Sequence, residues 1–158
     1  MSKSRAPLPN EPPEPSALFR LFNEIGIVNQ LSSAAFERLL PHDLTQAQFT
    51  VLNHCVRLGD NRTPADLACA FQVTRGTLTS TLQRLEAKGF IRLAPDANDG
   101  RSKRVLLTPA GRRAREEAIA AAAPLLEQAQ AALTPKELEA LLPLLTKLRV
   151  WLDQNRGG

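Results

Sequence analysis

Three cations, Arg101, Lys103 and Arg104, stand close together in FIRLAPDANDGRSKRVLLTPAGRR, residues 90–113. Two short apolar runs flank them, Phe90-Ile91-Arg92-Leu93 and Val105-Leu106-Leu107. Asp99-Gly100 is a turn signal, so the runs read as a hairpin with the charges near its tip. An arginine there is long enough to enter a narrow groove of a polyanion, where negative potential is concentrated. Asp99, two residues before Arg101, orients the guanidinium and reduces its freedom. The bland alternative is a solvated turn with an incidental ion pair, which contributes little.

A second set of polar residues precedes the hairpin. In the stretch 75–88, Leu78, Leu82 and Leu85 recur at helical spacing and must face a core. The other faces carry Arg75, Gly76, Thr77, Thr79, Ser80, Thr81, Gln83, Arg84 and Lys88, with no acid before Glu86. An ordinary solvated helix mixes acids and bases. A short, polar, cationic surface suits a major groove, where side chains meet base edges and phosphates.

Other chemistries find little to build on. His42 and His54 lack the paired spacing of a metal motif, so no metal is expected. Cys55 and Cys69 both sit among apolar neighbours without an adjacent base, the setting of small buried hydrophobes; redox sensing by either is the alternative. No glycine-rich phosphate loop and no nucleophile–base motif is present, so an enzyme is not expected, nor is a cofactor.

The elements that position these residues are marked by their caps. Thr63-Pro64, Thr108-Pro109 and Thr134-Pro135 repeat one device: threonine caps free N–H groups, and proline at the first helical position presets φ. Asp66 and Glu137 stand where a capping box wants an acid, and Thr45 with Gln48 forms another such box. Phe49, Leu52 and Val56 give the helix from Thr45 its buried stripe, and Gly59-Asp60-Asn61 ends it as a turn. The helix from Pro64 runs to about Phe71, Gln72-Val73 turn, and Thr74 caps the helix that stops at Gly89. Two helices joined by a short turn and followed by two strands predict a winged helix-turn-helix: mainly α, with a small β-hairpin wing.

On either side lie apolar helices. Leu18, Leu21, Phe22, Ile25, Val28 and Leu31 form a stripe ending before Pro41, and two more helices are expected after Pro109. The stripe, together with Leu141, Leu145, Leu148, Trp151 and their neighbours, offers more apolar surface than one small lobe can cover. That points to a homodimer, with packing inside one chain as the alternative. Pro124 and Pro143 fall within these helical stretches, where proline kinks or ends a helix.

The stretches VTRGTLTSTLQRLEAKGFI (73–91) and DGRSKRVLLTPAGR (99–112) together resemble the multiple-antibiotic-resistance regulator (MarR) family. The second matches the family's wing: Asp-x-Arg, a Val-x-Leu-Thr strand and a helix-starting glycine. The resemblance implies a homodimeric repressor or activator whose terminal helices interlock and whose paired helices read a pseudo-palindromic operator in double-stranded DNA. It assigns Thr74, Arg75, Thr77, Thr79 and Arg84 to the groove and Asp99 and Arg101 to the wing. It also implies release by a small organic effector, bound between the lobe and the dimer helices. Ser80, Lys103 and Arg104 join the expected DNA-binding set from their place and charge.

Composition agrees with this division. Aromatic residues are only 4% of 158, which favours packed helices over a sheet sandwich. Residues 71–115 hold ten Lys/Arg against three acids; the rest of the chain, out of 20 and 16, holds ten against 13. The positive charge is therefore regional. Two cysteines, no apolar leader and no membrane-length run fit a cytoplasmic protein. The expected organisation is a proline-rich disordered leader (1–15), a DNA-binding lobe (41–108), and a dimerisation region of 16–40 with 109–158. A winged helix that only binds protein is the remaining alternative, and it would be expected to lack the basic wing.

Overall fold

The computed structural model describes residues 16–96 and 102–155, so the proline-rich leader and the tip residues Asp99 and Arg101 lie outside the described residues. Among these the order is α1 (Ala17–Glu37), α2 (Gln46–Leu58), α3 (Pro64–Phe71), α4 (Arg75–Ala87), β1 (Ile91–Pro95), β2 (Lys103–Leu107), α5 (Pro109–Ala121), α6 (Ala123–Ala129) and α7 (Pro135–Gln154). The chain separates into two units, residues 1–35 and 36–158.

Nearly all of α1 belongs to the first unit, and no residue of it is buried. Its stripe stands open: Leu18, Leu21, Phe22, Val28 and Leu31 are all exposed.

The second unit carries the core. Leu52 of α2, Leu67 of α3 and Leu85 of α4 are each 0% exposed, and Leu78, Leu82, Ile91 and Val105 close around them. Burying a side chain of that size contributes roughly 1.5–3 kcal/mol, so these few residues dominate the lobe's stability. The stripe of α2 is broader than Phe49, Leu52 and Val56 suggest: Gln48, Val51 and Cys55 are buried too, while Phe49 and Val56 are half-buried.

Each cap does what its residues imply. Thr45, Thr63 and Thr134 accept from the N3 backbone N–H, and Gln48, Asp66 and Glu137 close the reciprocal bond. Thr74 and Thr108 cap without that partner, accepting from Thr77 and Gly111. Gln72 takes φ 54° to end α3, and Gly89 takes φ 73° after α4.

The two strands pair antiparallel from Ile91↔Leu107 to Pro95↔Lys103, somewhat longer than the apolar runs alone indicate. Gly59 ends α2 as expected, but Asp60 and Asn61 of the expected turn, with Arg62 after them, also edge the hairpin. The Asn61 N–H donates to the Val105 carbonyl at 2.7 Å and the Val105 N–H to the Arg62 carbonyl at 2.9 Å. Asp60 Oδ2 accepts from the Leu107 N–H at 2.8 Å. The stem is thereby anchored to the end of α2.

At its base the hairpin meets α5 without an intervening side chain. A Cβ built on Gly111 would lie 2.0 Å from the Phe90 carbonyl oxygen. Glycine is required there by contact, not by φ.

Beyond Pro109 the expected pair of helices is three elements. Pro124, at the start of α6, lacks the N–H that would extend α5, and the chain restarts at Ala123 after Ala122. Pro143 does not break α7, which continues through it to Gln154. The carbonyl it leaves unpaired lies on a helix with no buried residue, where water can satisfy it.

Candidate nucleic-acid interface

α4 is held by its leucine stripe and by its capped start, and these decide which faces remain outward. With Leu78, Leu82 and Leu85 inward, Arg75, Gly76, Thr79, Ser80, Gln83 and Arg84 share the exposed arc. Thr74 and Thr77 are tied together at the helix start, their hydroxyls 2.8 Å apart. The Thr79 hydroxyl donates to the Arg75 carbonyl at 2.8 Å. All six expected α4 residues, Thr74, Arg75, Thr77, Thr79, Ser80 and Arg84, are exposed.

A cleft of about 470 Å³ separates α4 from the hairpin. Arg75, Thr79 and Gln83 line one wall, Ser102 and Lys103 the other, and Thr63 and Pro64 at the start of α3 close the end. The structure thus brings Arg75, Thr79 and Lys103 to one concave surface. Glu86, the acid of α4, also borders the cleft, but its Oε1 accepts from the Leu93 N–H at 2.7 Å and so secures β1.

Two expected cations behave differently. Arg104 is not a freely projecting wing charge: its Nε donates to Asp96, and its Nη1 donates to the Asn61 carbonyl at 3.1 Å. Sequence reasoning missed this because one anchor, Asp96, is brought in by the hairpin pairing and the other, Asn61, lies 43 residues back along the chain. Lys88 also leaves the solvated face, reaching back to the turn before α2. Asp99 and Arg101 are outside the described residues, so the wing tip itself is not placed.

The cysteines and His54 stand apart from this cleft. Cys55 is buried, and desolvation, with Asp60 adding to it, pushes its thiol up to about 11. Such an upward shift disfavours the reactive thiolate. Cys69, expected among buried neighbours, is exposed instead: α3 turns Leu67 and Ala68 to the core and Cys69 away from it. His54 packs edge-on against Phe71, with ring centroids 5.1 Å apart, and burial with the charges of Arg62 and Arg57 lowers its pKa. Among the described residues no group of three or more His, Cys, Asp or Glu could hold a metal, and no helix could cross a membrane.

A helix-turn-helix whose second helix is exposed and cationic, followed by a hairpin braced against it, defines a winged helix-turn-helix. The family model of MarR matches residues 42–102. The multiple antibiotic resistance protein MarR of Escherichia coli is 39% identical over a 99-residue alignment that covers 58% of this chain and 68% of that protein. The same holds for MarR of Salmonella typhimurium. Among solved structures, E. coli MarR in its apo form superposes with a TM-score of 0.72 at 34% identity, covering 85% of this chain and 98% of that one. A cysteine-to-serine variant of E. coli MarR complexed with operator DNA gives 0.69 at 33%, covering 83% and 94%. BpsR of Bordetella bronchiseptica, whose DNA binding is regulated by 6-hydroxynicotinic acid, gives 0.69 at 28%, covering 82% and 98%. The chain belongs to the MarR family and is a transcriptional regulator.

Proposed function

We propose that this regulator works as a homodimer in the cytoplasm, binding a pseudo-palindromic operator in double-stranded DNA and acting by occupancy, not by catalysis. The observation that carries the reading is the cleft between α4 and the hairpin, where Arg75, Thr79, Gln83 and Lys103 share a concave, cationic surface. In it α4 reads base edges from the major groove, and the wing lies along the backbone towards the minor groove. The role of Arg101 at the minor groove, with Asp99 orienting it, rests on the sequence alone. Lys103 is the described wing cation open to a phosphate, and Arg104 holds the stem that presents it. The lobe is assigned to residues 41–108.

Dimerisation is assigned to 16–40 with 109–158, on the exposed apolar faces of α1 and α7. Leu18, Leu21, Phe22, Leu141 and Trp151 are exposed, while Leu145 and Leu148 are half-buried. An organic effector fits a cleft of about 550 Å³ between α2, α3 and the end of α7, lined by His54, Arg57, Phe71, Arg149 and Leu152. Two guanidinium groups beside an aromatic ring favour an anionic, ring-bearing compound. Its binding would alter the spacing of the reading helices and so weaken the operator complex.

The test is a salt titration of duplex binding. Affinity is expected to fall steeply with salt, and Lys103→Ala, which removes one contact from each protomer of the dimer, to reduce the slope of log K against log salt by about two. A flat profile removes DNA binding from the account.

A further inference from the structure

The turn that leads into α2 contains two successive residues in the left-handed region, His42 at φ 60° and Asp43 at φ 49°. Neither is glycine, and neither conformation is the default for a residue with a Cβ. Residues of one hand in succession point their carbonyls the same way. Here both meet a single ammonium: Lys88 Nζ donates to the His42 carbonyl at 2.5 Å and to the Asp43 carbonyl at 3.2 Å. The turn is gripped from two further sides. His42 Nε2 lies 2.5 Å from Glu117 Oε2 of α5, and its ring stands edge-on to Phe90, with centroids 5.7 Å apart.

Lys88 is the C-cap residue of α4. The helix that reads DNA is thus fixed at its start by the Thr74 cap and at its end by a cross-link, 46 residues back along the chain, to a strained turn. We infer that Lys88 is a positioning residue for sequence discrimination: it sets the pitch of α4 through the His42–Asp43 turn and does not itself contact phosphate. This inference rests on the DNA-binding reading above. Its physical basis is the difference between the two kinds of contact. Phosphate neutralisation tolerates small displacements because it is long-ranged, whereas base-edge hydrogen bonds are lost when a helix tilts by a fraction of a bond length. A lysine that acts on pitch therefore changes specificity and leaves electrostatic affinity in place.

The experiment uses the full chain and two probes: a duplex the wild type enriches from a randomised library, and a scrambled duplex of the same composition. Lys88→Met keeps the aliphatic stem and removes the donors. It is expected to lower the ratio of the two affinities by about tenfold, the scale of one mismatched base pair. Scrambled-duplex affinity should move by less than about twofold, with an unchanged salt slope. Lys88→Arg, which keeps charge and donors, should recover most of the ratio. Lys88→Gln, with an amide at shorter reach, should give an intermediate ratio and serves where Lys88→Met melts too early. A loss of folded protein lowers both affinities together and leaves their ratio in place, so a ratio that holds overturns the inference. Equal losses on both probes with a slope smaller by about two, one contact from each protomer, would make Lys88 a phosphate contact and likewise overturn it. A wild type that enriches no duplex overturns the DNA-binding reading as well.

Discussion

α4 and α7 both start at a threonine whose hydroxyl accepts from the N3 backbone N–H, and both carry leucines at helical spacing. In α4 the leucines are spent within the chain: Leu78, Leu82 and Leu85 are all buried, and what is left outside is short, polar and cationic. In α7 nothing is buried, and Leu142, Leu144 and Trp151 are each at least 59% exposed. An isolated chain gains little by presenting such a face to water. One helix has an internal partner and leaves charge for an external one; the other leaves its apolar face for an external one. On the proposed function the two surfaces meet different partners, DNA for the first and a second copy for the second.

Substitutions can break this contrast, beginning with the largest effect. Leu82→Ala should cost about 2–5 kcal/mol in denaturant unfolding, the range for emptying a packed core site. Leu144→Asp with Trp151→Asp should leave the circular dichroism of the lobe intact yet move the protein from dimer to monomer in sedimentation. A loss of about 2–4 kcal/mol in association is expected where such residues anchor an interface. A double variant that remained dimeric would place the contact elsewhere. Thr74→Ala should cost about 1 kcal/mol, since it removes the cap from an otherwise well-packed helix.

The smallest effect sharpens the difference between the caps themselves. The Thr134 hydroxyl and then its backbone N–H hold the Glu137 carboxyl below its usual range. A lowered carboxyl stabilises the folded form above its unfolded pKa and loses that contribution as pH falls through the folded value. The cap of α4 has no acid. Amide protection at the start of α7, taken relative to the intrinsic exchange rate at each pH, should therefore fall in acid before that at the start of α4. Glu137→Gln, which keeps an acceptor without a titrating charge, should abolish the difference. His54 has the same sign for another reason: its lowered pKa favours the neutral ring in the folded chain, so stability falls as pH drops below 6.5.

Much of this was legible in the residues because it is local. A threonine followed by proline and an acid fixes a helix start within four positions, and each such start appears where the sequence puts it. The stripe of α4 and its polar arc follow from spacing alone. What was not legible depends on partners far along the chain. Arg104 looks like any wing cation until Asn61 and Asp96 are folded beside it. Lys88 reads as part of an exposed face until the His42–Asp43 turn arrives. The prolines show the same limit. Pro124 and Pro143 remove the same hydrogen bond, yet only the first separates two helices. Cys55 of α2 is buried and Cys69 of α3 exposed, an outcome set by which side of its own helix each takes.

The bare backbone contact at Gly111 has a further consequence. Because no side chain separates the start of α5 from the Phe90 carbonyl, hairpin stem and helix are joined backbone to backbone, with no side chain there whose repacking could re-aim the wing alone. Thr108 tightens the joint, its N–H on the Phe90 carbonyl at 3.1 Å and its hydroxyl on the Gly89 carbonyl at 2.7 Å. A wing transplanted from a relative to alter operator preference would have to bring this joint with it, so groove preference and helix direction are inherited together.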